Sequence, residues 1–238
     1  MILAVVICLG MLRLGIWQLD RADQKQTILT QSMTRSLQAP VALTSISSPL
    51  NTANIENEHR FLRVYVEGRY LPDQSLFLDN QVVDSKVGYA VITPFVFTES
   101  GLSILVNRGW IGKAESGNQL PEIETPLKNV KLTGRLNNPT EQPPLWNESY
   151  PVYQDDVWQF LPIDKIRQET QLDLMPLVLE LAPDDMSDKA NLVRRWQTLD
   201  DEWVNKHKAY ALQWFSMAIV FFIACLVLVL RSNKNPNQ

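Results

Sequence analysis

The sequence predicts a membrane protein in which two terminal transmembrane helices flank a mainly β extramembrane domain, antiparallel and α+β in character. Three observations carry that prediction. An apolar run stands at each end, the roughly 190 residues between them are polar and acidic, and that middle holds a succession of short β-rich segments.

The first apolar run, residues 2–17, is interrupted by Gly10, Arg13 and Gly15 and reaches only about 24 Å at ~1.5 Å per residue. It spans a bilayer if Arg13 snorkels and Trp17 anchors at the interface. It lacks a basic n-region and a small-residue cleavage site, so an uncleaved span is expected rather than a signal peptide. Residues 14–36 carry few helix breakers and place Arg21 and Lys25 at i, i+4, so the helix is expected to continue out of the membrane.

Residues 39–57 form a connection rich in Ser, Asn and Pro. Strand signals then dominate, at residues 61–70, 75–79, 89–97 and 102–107. Residues 130–136 alternate cleanly, with Val130, Leu132, Gly134 and Leu136 on one face and Lys131, Thr133 and Arg135 on the other. Further strands are expected at 157–161 and 177–181, and a short helix over Ile163–Thr170 with Asp164 in its first turn. Residues 139–151 and 183–188 read as loops.

The last apolar run, residues 209–230, has no charge and reaches roughly 33 Å at ~1.5 Å per residue, enough for a ~30 Å hydrocarbon core. Tyr210 and Trp214 lie at its outer end, where amphipathic rings favour the headgroup level. The organisation expected is therefore a first span over residues 1–19, a domain over 20–206, a second span over 207–231 and a tail over 232–238.

Composition excludes several chemistries. Between Asp20 and His207 the chain carries 18 Lys and Arg against 26 Asp and Glu, and this acidic surface excludes nucleic acid as an expected partner. Cys8 and Cys225 both fall in the apolar runs, so the domain holds no disulfide and no covalent haem attachment site. Two histidines do not make a multi-histidine zinc site, and no phosphate loop or nucleophile elbow occurs. No nucleophile–base pair stands out, so no catalytic residue is expected and the chain does not read as an enzyme. The acidic pairs Asp155-Asp156, Asp184-Asp185 and Asp200-Asp201 read as solvated loops, and His59 as a surface loop residue. Basic residues flank the domain as richly as the tails, so charge leaves orientation open.

Five strings remain. Gly15-Ile-Trp17-Gln18-Leu-Asp-Arg21-Ala-Asp-Gln-Lys25 leaves the first span, and Val66-Glu-Gly68-Arg-Tyr70 lies on the first long strand. Gly88-Tyr-Ala-Val-Ile-Thr93-Pro94 precedes Asn107-Arg108-Gly109-Trp110, which is expected at a strand end. His207-Lys-Ala-Tyr210-Ala-Leu-Gln213-Trp214-Phe215 opens the second span. In this order, and over almost the whole chain, the strings resemble the surfeit locus protein 1 family of cytochrome c oxidase assembly factors. The shortened first span is the chief departure.

The resemblance implies a hairpin protein of the bacterial inner membrane with both termini cytoplasmic and the domain periplasmic. It implies transient binding of haem a and its insertion into the large oxidase subunit, with the haem A synthesis machinery as a second partner. The histidine matching His207 is the implied axial ligand to the haem iron. Imidazole suits haem iron, and aromatic residues near it can hold the macrocycle. Trp214, at i+7, shares its helical face, and Tyr210, at i+3, offers a ring and a hydroxyl. Trp17 and Arg108 complete the candidate cofactor-binding set, Arg108 as a partner for a propionate. Each also has a plainer reading: membrane-belt aromatics, an interfacial histidine, and a strand-end arginine. Gln18 and Gln213 are expected either to bond across paired helices or to sit among headgroups. The alternative function is a membrane-anchored scaffold that stabilises an assembly intermediate without binding haem.

Overall fold

Apolar residues at every second position curl the central strands around a shared core, in a computed structural model describing residues 2–45, 58–113, 120–141, 152–154, 156–196 and 201–234. The expected connection at 46–57, most of the 139–151 loop, Asp155, Asp200 and the end of the tail lie outside the described residues. The chain divides into two compact units: Met1–Met33 with Thr198–Gln238, and Thr34–Gln197.

In the second unit, strands β1 (Val41–Ala42), β2 (Arg63–Tyr70), β3 (Leu76–Val83), β4 (Lys86–Phe97) and β5 (Ser103–Gly112) are followed by β6 (Val130–Asn137), β7 (Tyr153–Gln154), β8 (Val157–Trp158) and, after a helix, β9 (Leu174–Leu181). They hydrogen-bond in the order β1-β2-β6-β9-β5-β4-β3-β8-β7. β2 also pairs with β4, setting Gly68 opposite Phe97 and Tyr70 opposite Phe95, so β2, β6, β9, β5 and β4 close into a barrel-like ring. Closure leaves none of these five with a free edge over the paired length. Most pairings are antiparallel, whereas β1/β2, β3/β8 and β5/β9 run parallel.

The ring is filled by alternate residues, among them Val64, Val66, Phe95, Ile104, Val106, Leu132, Leu136 and Leu179, all buried. The opposite faces of β4, β5 and β9 supply Ile92, Leu105 and Val178 to a second cluster. Helix α2 (Ile163–Thr170) covers it with Ile163 and Ile166, which its 3.6-residue period brings to one face. α2 ends where Gln171 turns left-handed and donates its N–H to the Arg167 carbonyl. Asp84 and Ser85 join β3 to β4 with φ of 48° and 61°, the two positive values of a tight primed hairpin.

Two sequence expectations shift. Asn107-Arg108-Gly109-Trp110 does not end a strand but lies inside β5. Val91 pairs with Gly109 and Ile92 with Asn107, so Arg108 is the extra residue of a β-bulge and Gly109 takes a φ of 135°. His59 is half-buried, and its Nε2 is buried without a hydrogen-bond partner among the described residues.

The first unit is built from α3 (Asp201–Lys234) and all but the last turn of α1 (Ile2–Ser36), each helix long and apolar enough to cross a membrane. Both extend beyond their apolar runs. The covered positions of α1 include Ala4, Cys8, Met11, Gly15, Gln18, Ala22, Lys25, Leu29 and Ser32; those of α3 include Val204, His207, Ala211, Trp214, Ala218, Phe221 and Cys225. Both sets step alternately by three and four residues, the heptad spacing of helices packed as a coiled coil. Cys8 Sγ lies 3.5 Å from the Ala218 carbonyl, while Ala22 and Leu29 pack on Val204, so the helices run antiparallel. Arg13 lies between Cys8 and Gly15, which adjoins Phe215, and so stands near the C-terminal end of the first apolar run.

Candidate functional site

The heptad seam decides which polar side chains of the helical unit meet. His207 and Gln18 occupy facing seam positions, with His207 Nδ1 2.7 Å from Gln18 Oε1. Imidazole and amide both reach across because the small seam residues Gly15, Ala22 and Ala211 let the backbones approach. Gln18 therefore takes the cross-helix role. Trp214, two turns along α3 from His207, lies on the same seam and is half-buried. Tyr210 is 52% exposed and Trp17 45% exposed. The Arg21 guanidinium sits 5.8 Å from the Trp17 ring, and Lys25 Nζ sits 4.9 Å from that of Trp203. The helical unit thus brings His207, Gln18 and Trp214 onto one seam and leaves Tyr210 and Trp17 on more open faces.

Arg108 belongs to the β unit and is wholly buried there. The alternation Ile104, Val106, Arg108 carries it to the inner face of β5, and the bulge frees its backbone from β4. Its Nε donates to Asp188 Oδ2 at 2.7 Å and Nη2 to Oδ1 at 2.9 Å, a bidentate pair. Nη1 donates to Thr125 Oγ1 and Nη2 to the Glu124 carbonyl, both at 2.6 Å. The guanidinium carbon lies 4.9 Å from the Tyr70 ring, and the Tyr70 hydroxyl donates to Asp188 Oδ2 at 3.3 Å.

Every nitrogen of the Arg108 guanidinium, the group expected to meet a propionate, donates inside the core. Burial alone would raise the Asp188 carboxyl. The hydrogen bonds and charge of Arg108, the Ala190 N–H and Arg194 overcome that and hold it below the usual carboxylate range. Burial pushes the Tyr70 hydroxyl upward, and the Asp188 charge adds to the shift.

Around this pair the 182–194 segment is stitched to the barrel. Arg194 donates to the carbonyls of Arg108, Asp185 and Asp188, at 3.1, 2.6 and 2.8 Å. Trp110 and Val193 exchange backbone hydrogen bonds, and Trp110 Nε1 donates to the Gln81 carbonyl at 2.9 Å. A Cβ on Gly109 would stand 2.8 Å from Leu192 Cβ. Sequence reasoning missed Asp188 because it sits in an acidic loop with no periodicity to mark it as buried. Its neighbour Asp185 is likewise not merely solvated, since its carboxylate accepts the Thr133 and Ser187 N–H groups at 2.6 and 2.8 Å. The N-R-G-W string is thus an architectural clasp of the β unit.

Comparison with known proteins adds a family likeness. The pattern of the SURF1 family matches residues 4–219. A SURF1-like protein of Rickettsia felis is 26% identical over 222 residues, covering 91% of this chain and 91% of the relative. One from Dictyostelium discoideum is 24% identical over 243 residues, covering 88% and 89%. The cytochrome oxidase assembly protein SHY1 of Saccharomyces cerevisiae is 25% identical over 100 residues, which are 42% of this chain and 25% of that one.

Proposed function

This chain belongs to the SURF1 family, and we propose that it is an assembly factor for haem-copper cytochrome c oxidase that binds haem a near His207 and passes it to the large oxidase subunit. The single observation that supports the haem step is His207 itself. It is the one histidine on the helical unit, half-covered, set on the seam just before the apolar run of α3 and held at one ring nitrogen. A neutral imidazole with a nitrogen to spare is the donor haem iron takes, and Trp214 on the same seam supplies a flat apolar neighbour. The relative named as an oxidase assembly protein supports the choice of target. The haem A synthesis machinery would supply the cargo. Tyr210 and Trp17 are proposed to flank the macrocycle from the open faces, whereas Arg108 has no part in this reading.

Purified protein from cells making haem A should carry a haem spectrum. His207→Ala should insert and accumulate normally, because Ala is a good helix former, yet lose the haem. Colourless wild-type protein from such cells would leave the scaffold function in its place. Full occupancy of His207→Ala with an unchanged spectrum would remove this histidine as the ligand.

We place the protein in the bacterial inner membrane as a hairpin with its domain in the periplasm. The antiparallel pairing of two apolar helices supports a hairpin whose termini share a side. A reporter inserted between Asp84 and Ser85 should be active in the periplasm, and one fused after the last residue should be active in the cytoplasm. Two reporters on the same side would sink the topology.

A further inference from the structure

We infer that Gln18 is a positioning residue that fixes the His207 imidazole as the Nδ1–H tautomer and thereby leaves Nε2 as the atom free to ligate. The amide oxygen of Gln18 has only lone pairs to offer, so a bond at 2.7 Å from Nδ1 requires the proton on Nδ1. A neutral imidazole carries one proton, so Nε2 is then bare. Neutral histidine in water prefers the opposite arrangement, with the proton on Nε2, and the contact therefore reverses a default.

Both partners are set in place by packing. Gln18 and His207 face each other on the heptad seam. Gly15, one turn before Gln18, lies under the Phe215 ring, which limits how the two helices can slide. Among the described residues Nε2 of His207 forms no hydrogen bond. Histidines that bind metals are commonly oriented in this way, the second ring N–H donating to an oxygen that also raises the basicity of the ligating nitrogen. The tautomer follows from the contact, with the amide oxygen facing a neutral ring; that Nε2 then meets haem iron rests on the function proposed above.

The first test needs no haem. Full-length protein labelled with 15N-histidine, in micelles and at a pH where the ring is neutral, is read by long-range proton–nitrogen correlation. The chain has two histidines, so a His59→Gln background leaves His207 alone in the spectrum. The expected result is a protonated Nδ1 and a bare Nε2. In Gln18→Leu the proton should move largely to Nε2, while Gln18→Glu, with a stronger acceptor at the same length, should keep it on Nδ1. A wild-type ring protonated on Nε2, or a Gln18→Leu spectrum identical to wild type, overturns the inference. Should the leucine variant fail to accumulate, Gln18→Asn, one methylene shorter, gives the same reading.

The second test uses protein loaded by co-expression with haem A synthesis. Gln18→Leu should retain haem about 10–100-fold less tightly. The iron–histidine stretching band should shift in opposite directions in the Leu and Glu variants. A residue that only pins helix register predicts no such opposition, and a common shift in both variants argues against positioning. Haem that depends on His207 together with an Nε2–H wild-type ring defeats the role of Gln18 alone. An Nδ1–H ring in a protein that never takes up haem defeats the haem function and leaves the positioned imidazole standing.

Discussion

Arg108→Ala is expected to destabilise the β unit by about 3–5 kcal/mol, because it strands the buried Asp188 carboxylate without its bidentate partner. Domains of this kind are stable by roughly 5–15 kcal/mol, so the variant should accumulate poorly and unfold at much lower denaturant. Arg108→Lys should rescue little, since one ammonium does not replace a fork that meets Asp188, Thr125 and the Glu124 carbonyl at once. The natural control is Lys131→Ala. Its pair with Glu67, at 3.4 Å, is more than half exposed and is worth about 0–1 kcal/mol. Denaturant midpoints of the full-length protein in detergent compare them directly. If Arg108→Ala and Lys131→Ala fall together, the buried clasp contributes nothing beyond a surface pair.

The clasp also sets the pH limits of stability. The Asp188 carboxyl is depressed in the folded protein, so its contribution is fully present above the unfolded value of about 4 and is lost as pH falls through the lower folded value. Tyr70 is shifted the other way. Its contribution is present below about 10 and declines above it, where the unfolded chain ionises and the folded one does not. Asp188→Asn should flatten the acid limb and Tyr70→Phe the alkaline one.

Strand positions were legible wherever an apolar residue recurred at every second place, as in residues 130–136, and Ile163–Thr170 was legible to the residue because Asp164 in its first turn and the spacing of Ile163 and Ile166 agree. Ring closure was not, since the β2–β4 pairing of Tyr70 with Phe95 joins segments whose local patterns carry no record of partner. The role of Arg108 was hidden for a related reason. A charged residue on an inward parity looks like a strand end until a distant acid, here Asp188, is known to meet it. Helix pairing was only partly legible. The seam of Gly15, Ala22 and Leu29 against Val204, Ala211 and Ala218 has strict seven-residue spacing, but uniform hydrophobicity over the membrane runs masks such a stripe. Gln18 and His207 stood out on the seam as polar residues beside the apolar runs.

The two glycines of α1 should behave oppositely, and this tests the seam itself. A methyl at Gly15 would overlap the Phe215 ring, whereas Gly10 has nothing within 4 Å. Gly10→Ala should therefore keep the helices paired and gain up to about 1 kcal/mol in helix propensity. Gly15→Leu gains a similar propensity but overpacks the seam, at a cost of about 1–3 kcal/mol, so packing wins and the helices separate or slide. Pairing can be read with the native Cys8, whose sulfur already reaches the Ala218 carbonyl, by introducing Ala218→Cys and oxidising. The cross-link should form in the otherwise wild-type chain and in Gly10→Ala, and should be largely lost in Gly15→Leu. Exchanging the bulk, with Phe215→Ala added to Gly15→Leu, should restore part of it, because the swap conserves volume across one contact. Equal cross-linking in Gly10→Ala and Gly15→Leu would mean that Gly15 does not sit beneath Phe215. The seam that sets Gln18 against His207 would then need another register.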